Sequence, residues 1–178
     1  MKPAQNKSRS LVAALTLSAA AFGAWQVSEG WTGTAVIPTK GDVPTIGHGS
    51  TRYEDGTRVK MEDVITRQRA AVLARNLISV DERALAASLP ANAELHQEEF
   101  DVYMDFVGQY GIGNWRQSSM RTNIAAGRYV DACYSLLEYR KAAGYDCSTW
   151  VDGKPNRRCY GSWLRQIERH KKCMAVQS

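Results

Sequence analysis

No cysteine precedes Cys133, and histidine is scarce throughout: His48, His96 and His170 are the only three. There is no HxxxH pair and no Cys/His cluster, so nothing in the chain reads as a metal site. The four cysteines, Cys133, Cys147, Cys159 and Cys173, fit no metal-finger spacing. No Ser-His-Asp arrangement is legible. Gly47-x-Gly49 is not followed by the helix that a dinucleotide-binding loop requires. No cofactor is therefore expected. There is also no dense Lys/Arg run with interleaved aromatics and no helix-turn-helix cue. Nucleic acid is thus disfavoured, despite a net charge of +5 and a pI near 9.1. The remaining anionic partners for a basic protein are lipid and the acidic bacterial envelope. Repeats and low-complexity tracts are missing. With 178 residues and a hydrophobic fraction of 44%, the chain can bury one core but cannot cross a membrane many times.

What is present begins at the N-terminus. Lys2, Lys7 and Arg9 precede Leu11 to Val27, a stretch without charge. A positive lead before an apolar run is the pattern of an exported chain. The run is only weakly apolar, because Thr16, Ser18 and Gly23 interrupt its leucines and alanines. Its length lies near the lower limit for spanning a bilayer. Two readings follow. Ala19-Ala20-Ala21 offers small residues for a signal peptidase. Alternatively the run stays as an uncleaved signal-anchor that later leaves the membrane. Geometry favours retention. Cleavage after Ala21 would leave two turns of helix before Glu29, too short to hold a side chain in place.

Export makes two disulfides the natural state of the four cysteines. Cys147 and Cys159 flank a polar loop, which suits a loop-closing bridge and leaves Cys133 for Cys173. Sequence alone allows three pairings, and buried free thiols are the alternative.

The periodicities predict residues 1–10 as a disordered basic lead and 11–29 as an apolar segment. A small β-region follows over 30–58, with turns at Lys40-Gly41-Asp42 and Glu54-Asp55-Gly56. Thr34–Thr39 and Val43–Ile46 read as its two strands. Helices are expected over 62–80, 98–107, 120–126, 129–140 and 161–173. Leu89-Pro90 and the glycines Gly108, Gly111 and Gly113 are the breaks between them. The fold class is α+β, with a small sheet region beside a helical lobe and a cleft between.

The most informative stretch is Glu29 to Thr51. A helix-terminal Glu29-Gly30 leads into the two strands. A carboxylic acid half out of water at a helix end can hold a proton and give it to a leaving glycosidic oxygen. Asp42-Val43-Pro44-Thr45-Ile46-Gly47-His48-Gly49, preceded by Glu29-Gly30, resembles the phage-type lysozyme (muramidase) endolysin family. Downstream, Asp105-Phe106-Val107-Gly108 and Gly113-Asn114-Trp115 resemble its Phe-Asn-x-Gly and Gly-Asn-Phe stretches. Ser118-Ser119-Met120-Arg121 with Asn123 to Tyr129, and Gly161 to Arg169, resemble its closing helices. The resemblance spans roughly 26–173.

That resemblance implies a lysozyme-like fold and a monomeric hydrolase. Its substrate would be the β-1,4 bond between N-acetylmuramic acid and N-acetylglucosamine in peptidoglycan glycan strands. It implies Glu29 as general acid and Thr45 as the residue that positions a water. Strand propensity alone would also explain Thr45. The family's aspartate would fall at Pro38 or Thr39, neither of which is acidic. Asp42 is the nearby acid that could take its place, and ordinary turn chemistry explains it equally well. With one acid, a lytic transglycosylase outcome is the alternative. A non-catalytic wall-binding protein is the second. His48 could contact Glu29 or simply cover the sheet. His96 and His170 read as surface. Arg116, Arg121, Arg128, Arg140 and Lys141 read as a solvated helical face.

The apolar segment resembles that of endolysins of the signal-arrest-release kind. Residues 1–28 then form the lead and signal-anchor, and residues 29–178 form the catalytic domain. The expected partners are the Sec export machinery and, through residues 11–27, the host inner membrane. The protein would sit on the periplasmic side as a releasable single-pass form and then enter the periplasm to cause lysis of the host cell.

Overall fold

The computed structural model describes residues 8–151 and 153–177. The expectations placed on Lys2 and Lys7 lie outside the described residues. In chain order the elements are β1 (Ser10–Leu11), a 3-10 turn (Val12–Ala14), α1 (Ala19–Glu29), β2 (Thr32–Val36), β3 (Thr45–Gly47), α2 (Arg67–Ala87), β4 (Glu94–Leu95), α3 (Gln97–Gln117), α4 (Ser119–Ala125) and α5 (Tyr129–Ser135). A second 3-10 turn, Leu136–Glu138, leads to the short strands β5 (Lys141–Ala142), β6 (Tyr145–Asp146), β7 (Trp150–Val151) and β8 (Lys154–Pro155), and to α6 (Tyr160–Met174). The strands form four two-stranded antiparallel pairs, β1–β4, β2–β3, β5–β6 and β7–β8. The α+β class is as expected. The chain divides into two units, Thr16–Ala84 and Leu85–Ser178 with the stretch up to Leu15.

In the Thr16–Ala84 unit a small core joins the sheet to α2. Ala35, Ile46, Val59 and Leu73 are buried together, with Tyr53 and Ile65 packed against them. Gly47 lets the helix come this close. A Cβ there would lie 3.1 Å from Ala70 Cβ, and its φ is +66°. The two turns form as expected. Asp42 N–H donates to Thr39 O at 2.9 Å and Gly56 N–H to Tyr53 O at 3.0 Å. The helix predicted from residue 62 begins only at Arg67. Residues 64 and 65 are used as a third edge instead. Val64 bridges Thr34, and Ile65 N–H donates to Gly33 O at 2.8 Å.

In the helical unit the core is Phe100, Tyr103, Phe106, Trp115, Met120, Leu136 and Leu95. α3 runs ten residues further than the predicted Val107. Gly108 is accommodated within it, and the break falls at Gly111 alone (φ 81°, ψ 157°). α6 is held to α3 by charge. Arg169 Nε donates to Asp105 Oδ2 at 2.6 Å and Arg165 bonds the other oxygen. Burial alone would push the Asp105 carboxyl up, but the two arginines hold it below the usual range. Both disulfides pair as the loop argument suggests, Cys133–Cys173 and Cys147–Cys159. The first ties α5 to α6. The loop closed by the second carries the hairpin β7–β8.

The N-terminal expectations need correction. Arg9 and Ser10 are ordered. Arg9 Nε donates to the buried Glu99 Oε2 at 3.3 Å, Nη2 donates to Gln177 Oε1 at 2.9 Å, and the guanidinium lies 3.7 Å from the centre of the Tyr129 ring. Residues 11–27 do not form one apolar anchor helix. Leu11 pairs with Glu94, Val12 is buried, and a helix starts afresh after Ser18. The polar interruptions explain this. Ser18 caps the new helix by accepting from Ala21 N–H at 3.1 Å. No helix among the described residues is long and apolar enough to cross a membrane. His96 and His170 are also corrected. His96 is buried at the start of α3, where its N–H donates to Glu99 Oε2 at 2.7 Å. His170 is half-buried, with its ring 4.9 Å from that of Tyr134. Of the expected solvated arginines, Arg121 instead donates to Ser88 O at 2.7 Å, and Arg140 pairs with Asp146 at 3.3 Å.

Candidate functional site

Glu29 is the last residue of α1, and Gly30 closes the helix with φ 66°. This helix buries none of its own side chains. Phe22, Trp25 and Gln26 are only half-buried, and eleven residues with so little burial are marginal as an isolated helix, so α1 is held from outside. At its N-terminal end the buried Leu17 is gripped through its backbone. Leu17 N–H donates to Glu82 Oε1 at 2.7 Å, and Arg75 donates to Leu17 O at 3.2 Å. Arg75 also pairs with Glu82 at 3.5 Å and sits 5.5 Å from the Phe22 ring centre. Phe22 stacks on Trp25 at 6.2 Å. Arg75 and Glu82 are seven residues apart on α2, two turns on one face. That i, i+7 spacing of opposite charges is the sequence signal for this support.

The C-terminal end is held by His48, which is buried. Its Nδ1 bonds the Gly30 carbonyl, its Nε2 lies 3.3 Å from Gln26 Nε2, and its ring centre is 5.8 Å from that of Trp25. Of the two readings of His48, contact with Glu29 or cover for the sheet, the hydrogen bonds match neither directly: the ring bonds the main chain of Gly30, the residue after Glu29.

Glu29 itself is exposed, which corrects the expectation of a half-shielded carboxyl. The reason is local. Glu29 is the last residue of the helix and Gly30 turns the chain away at once, so no further turn of α1 covers it. Thr45 is partly buried on β3, and its hydroxyl donates to Val36 O at 3.3 Å. With its proton committed to a main-chain carbonyl, that oxygen is free to accept from a water. Asp42 is exposed in the turn before β3, where Gly41 adopts φ +96°. Its backbone closes the turn.

The register orders these groups. Thr32 pairs with Gly47, and Val36 pairs with Thr45. The strand therefore presents His48 at the end nearest α1, with Thr45 further along and Asp42 beyond it. All lie in the Thr16–Ala84 unit. In the same unit, Glu54 is held down to about 2, first by its hydrogen bonds from Arg69. Arg69 engages both of its carboxylate oxygens, at 2.5 and 2.6 Å. This acid is locked as a bidentate anion and is not available as a proton donor at neutral pH.

Residues 26–159 match the model of the phage lysozyme family. No curated protein matches the chain. Among solved structures, a point mutant of P22 lysozyme superposes with a TM-score of 0.68 at 19% identity, covering 90% of this chain and 99% of that one. An endolysin from Escherichia coli O157:H7 phage FAHEc1 gives 0.63 at 24% identity, covering 90% and 94%. The active form of the P1 phage endolysin Lyz gives 0.64 at 16% identity, covering 93% and 89%.

Proposed function

Because the chain belongs to the phage lysozyme family, and so is an enzyme that acts on peptidoglycan, we propose that it hydrolyses the β-1,4 bond between N-acetylmuramic acid and N-acetylglucosamine. Glu29 protonates the glycosidic oxygen as the bond to the sugar carbon breaks. A water that donates to the Thr45 hydroxyl oxygen attacks that carbon, and the proton it sheds passes to the Asp42 carboxylate in the turn. The observation that carries this reading is the sequence of elements itself. Glu29 ends α1, and the chain passes directly into the β2–β3 pair whose second strand is Thr45-Ile46-Gly47. Glu29 is exposed in the free protein. The bound glycan therefore has to exclude water from around the carboxyl, which strengthens the electrostatic interactions there.

The lytic transglycosylase outcome keeps one specific support: Pro38 and Thr39 stand where the family's acid would fall. Product analysis of digested wall separates the two. Reducing muramyl ends mean hydrolysis, and anhydro-muramyl ends mean internal attack by the sugar's own hydroxyl. Glu29→Gln should abolish release in either case, and Asp42→Asn reads whether the turn acid takes part. Unchanged release by Glu29→Gln would remove the enzymatic role of this residue.

The same reading includes Sec-dependent export, transient residence of residues 11–27 in the host inner membrane, and release into the periplasm as a monomer that lyses the host. The charge-free but weakly apolar run supports it, as does the burial of Val12 and Leu17 in the folded chain. Membranes washed with carbonate should lose the protein once depolarised. Full retention after depolarisation would contradict release.

A further inference from the structure

Resting on the reading of Glu29 and Thr45 above, we propose that His48 is a positioning residue, whose imidazole sets the orientation of the Glu29 carboxyl relative to Thr45. The last carbonyls of a helix have no partner within it. At α1 that need is met from outside, by His48 Nδ1 on the Gly30 carbonyl, eighteen residues away in sequence. A carbonyl oxygen can only accept, so Nδ1 carries the proton. The neutral ring then has Nε2 free to accept, and Gln26 supplies an N–H there at 3.3 Å. Gln26 and Gly30 are four residues apart, so both lie on one side of the helix end. The imidazole thus binds the final turn at two points, with the Trp25 ring 5.8 Å from its own.

Its other side is anchored in the sheet. Gly47 pairs with Thr32 and Thr45 pairs with Val36, so the residues just before His48 are fixed to β2. Glu29 is the immediate neighbour of the capped Gly30. Thr45 is three residues before the capping ring on the strand that carries it. One buried side chain therefore joins the segment bearing the acid to the segment bearing the hydroxyl. α1 has no fully buried side chain, and its half-buried Trp25 and Gln26 face this same ring, so its own packing is a weak substitute for this link at its C-terminal end. A misplacement of about 1 Å in such a pair can cost on the order of a hundredfold in rate.

The test compares wild type, His48→Ala and His48→Asn for kcat and KM on purified wall, with thermal melting alongside. An asparagine can place an N–H where Nδ1 stood. The expected result is a kcat lowered at least about tenfold in His48→Ala with KM little changed, and substantial recovery in His48→Asn. A folded His48→Ala with wild-type kcat, even with a lowered melting point, would overturn the proposal. So would a His48→Asn no better than alanine. Should the alanine variant not fold, ¹⁵N NMR of the wild-type ring decides. The Nδ1–H tautomer is expected, and the Nε2–H tautomer would overturn it. Glu29→Gln is run in parallel. Undiminished release there removes the role of the acid, while the tautomer still reports whether the ring holds the helix end.

Discussion

Gly47 shows how much a single residue of the Thr45-Ile46-Gly47 strand has to satisfy. Its φ of +66° disfavours any side chain, and a Cβ would press on Ala70 Cβ at 3.1 Å and Ile65 Cδ1 at 3.3 Å. Gly47→Ala should therefore cost about 1–3 kcal/mol, measured by denaturant unfolding. An unchanged midpoint would show that the backbone relaxes freely there. The strand and its turn were legible because glycine and threonine at these positions have local reasons to be there. The bond from His48 to the Gly30 carbonyl was legible only as one of two open readings, since a lone histidine beside two glycines does not say which segment eighteen residues upstream it meets. Arg9 was misread for the same reason. As sequence it is one charge in a basic lead, and its partners Glu99 and Gln177 are far along the chain.

Among the elements, those with a strong period of their own were read best. α6 was expected over 161–173 and spans Tyr160–Met174. α2 was placed too early because Val64 and Ile65 fit a helical period yet serve as a sheet edge. The pair β1–β4 could not be read at all. Two-residue strands exist only through a partner, and here the partner is more than eighty residues away. The packing of α6 on α5 makes a pH-dependent claim. Burial holds the His170 imidazole below its ordinary value, and its Nε2 is buried with no hydrogen-bond partner among the described residues. The folded state then disfavours protonation relative to the unfolded chain. This contribution to stability is complete above about pH 6.5 and is lost as pH falls from there toward the lower folded value. The melting temperature should decline over that interval, and His170→Phe should flatten the decline. An identical decline in the variant would assign it to other groups.

For the molecule as a whole, the family match over 26–159 and the fold shared with phage endolysins put the chain among enzymes of peptidoglycan breakdown. Within it, a helix with no fully buried side chain is held by Arg75 and Glu82 at one end and by His48 at the other. What that arrangement presents is the carboxyl at position 29. Mass spectrometry of wall digested by wild type and by Glu29→Gln tests it most directly. New muramyl ends should accumulate with wild type and be missing with the variant at equal protein and equal folding. Equal product from both would contradict the account.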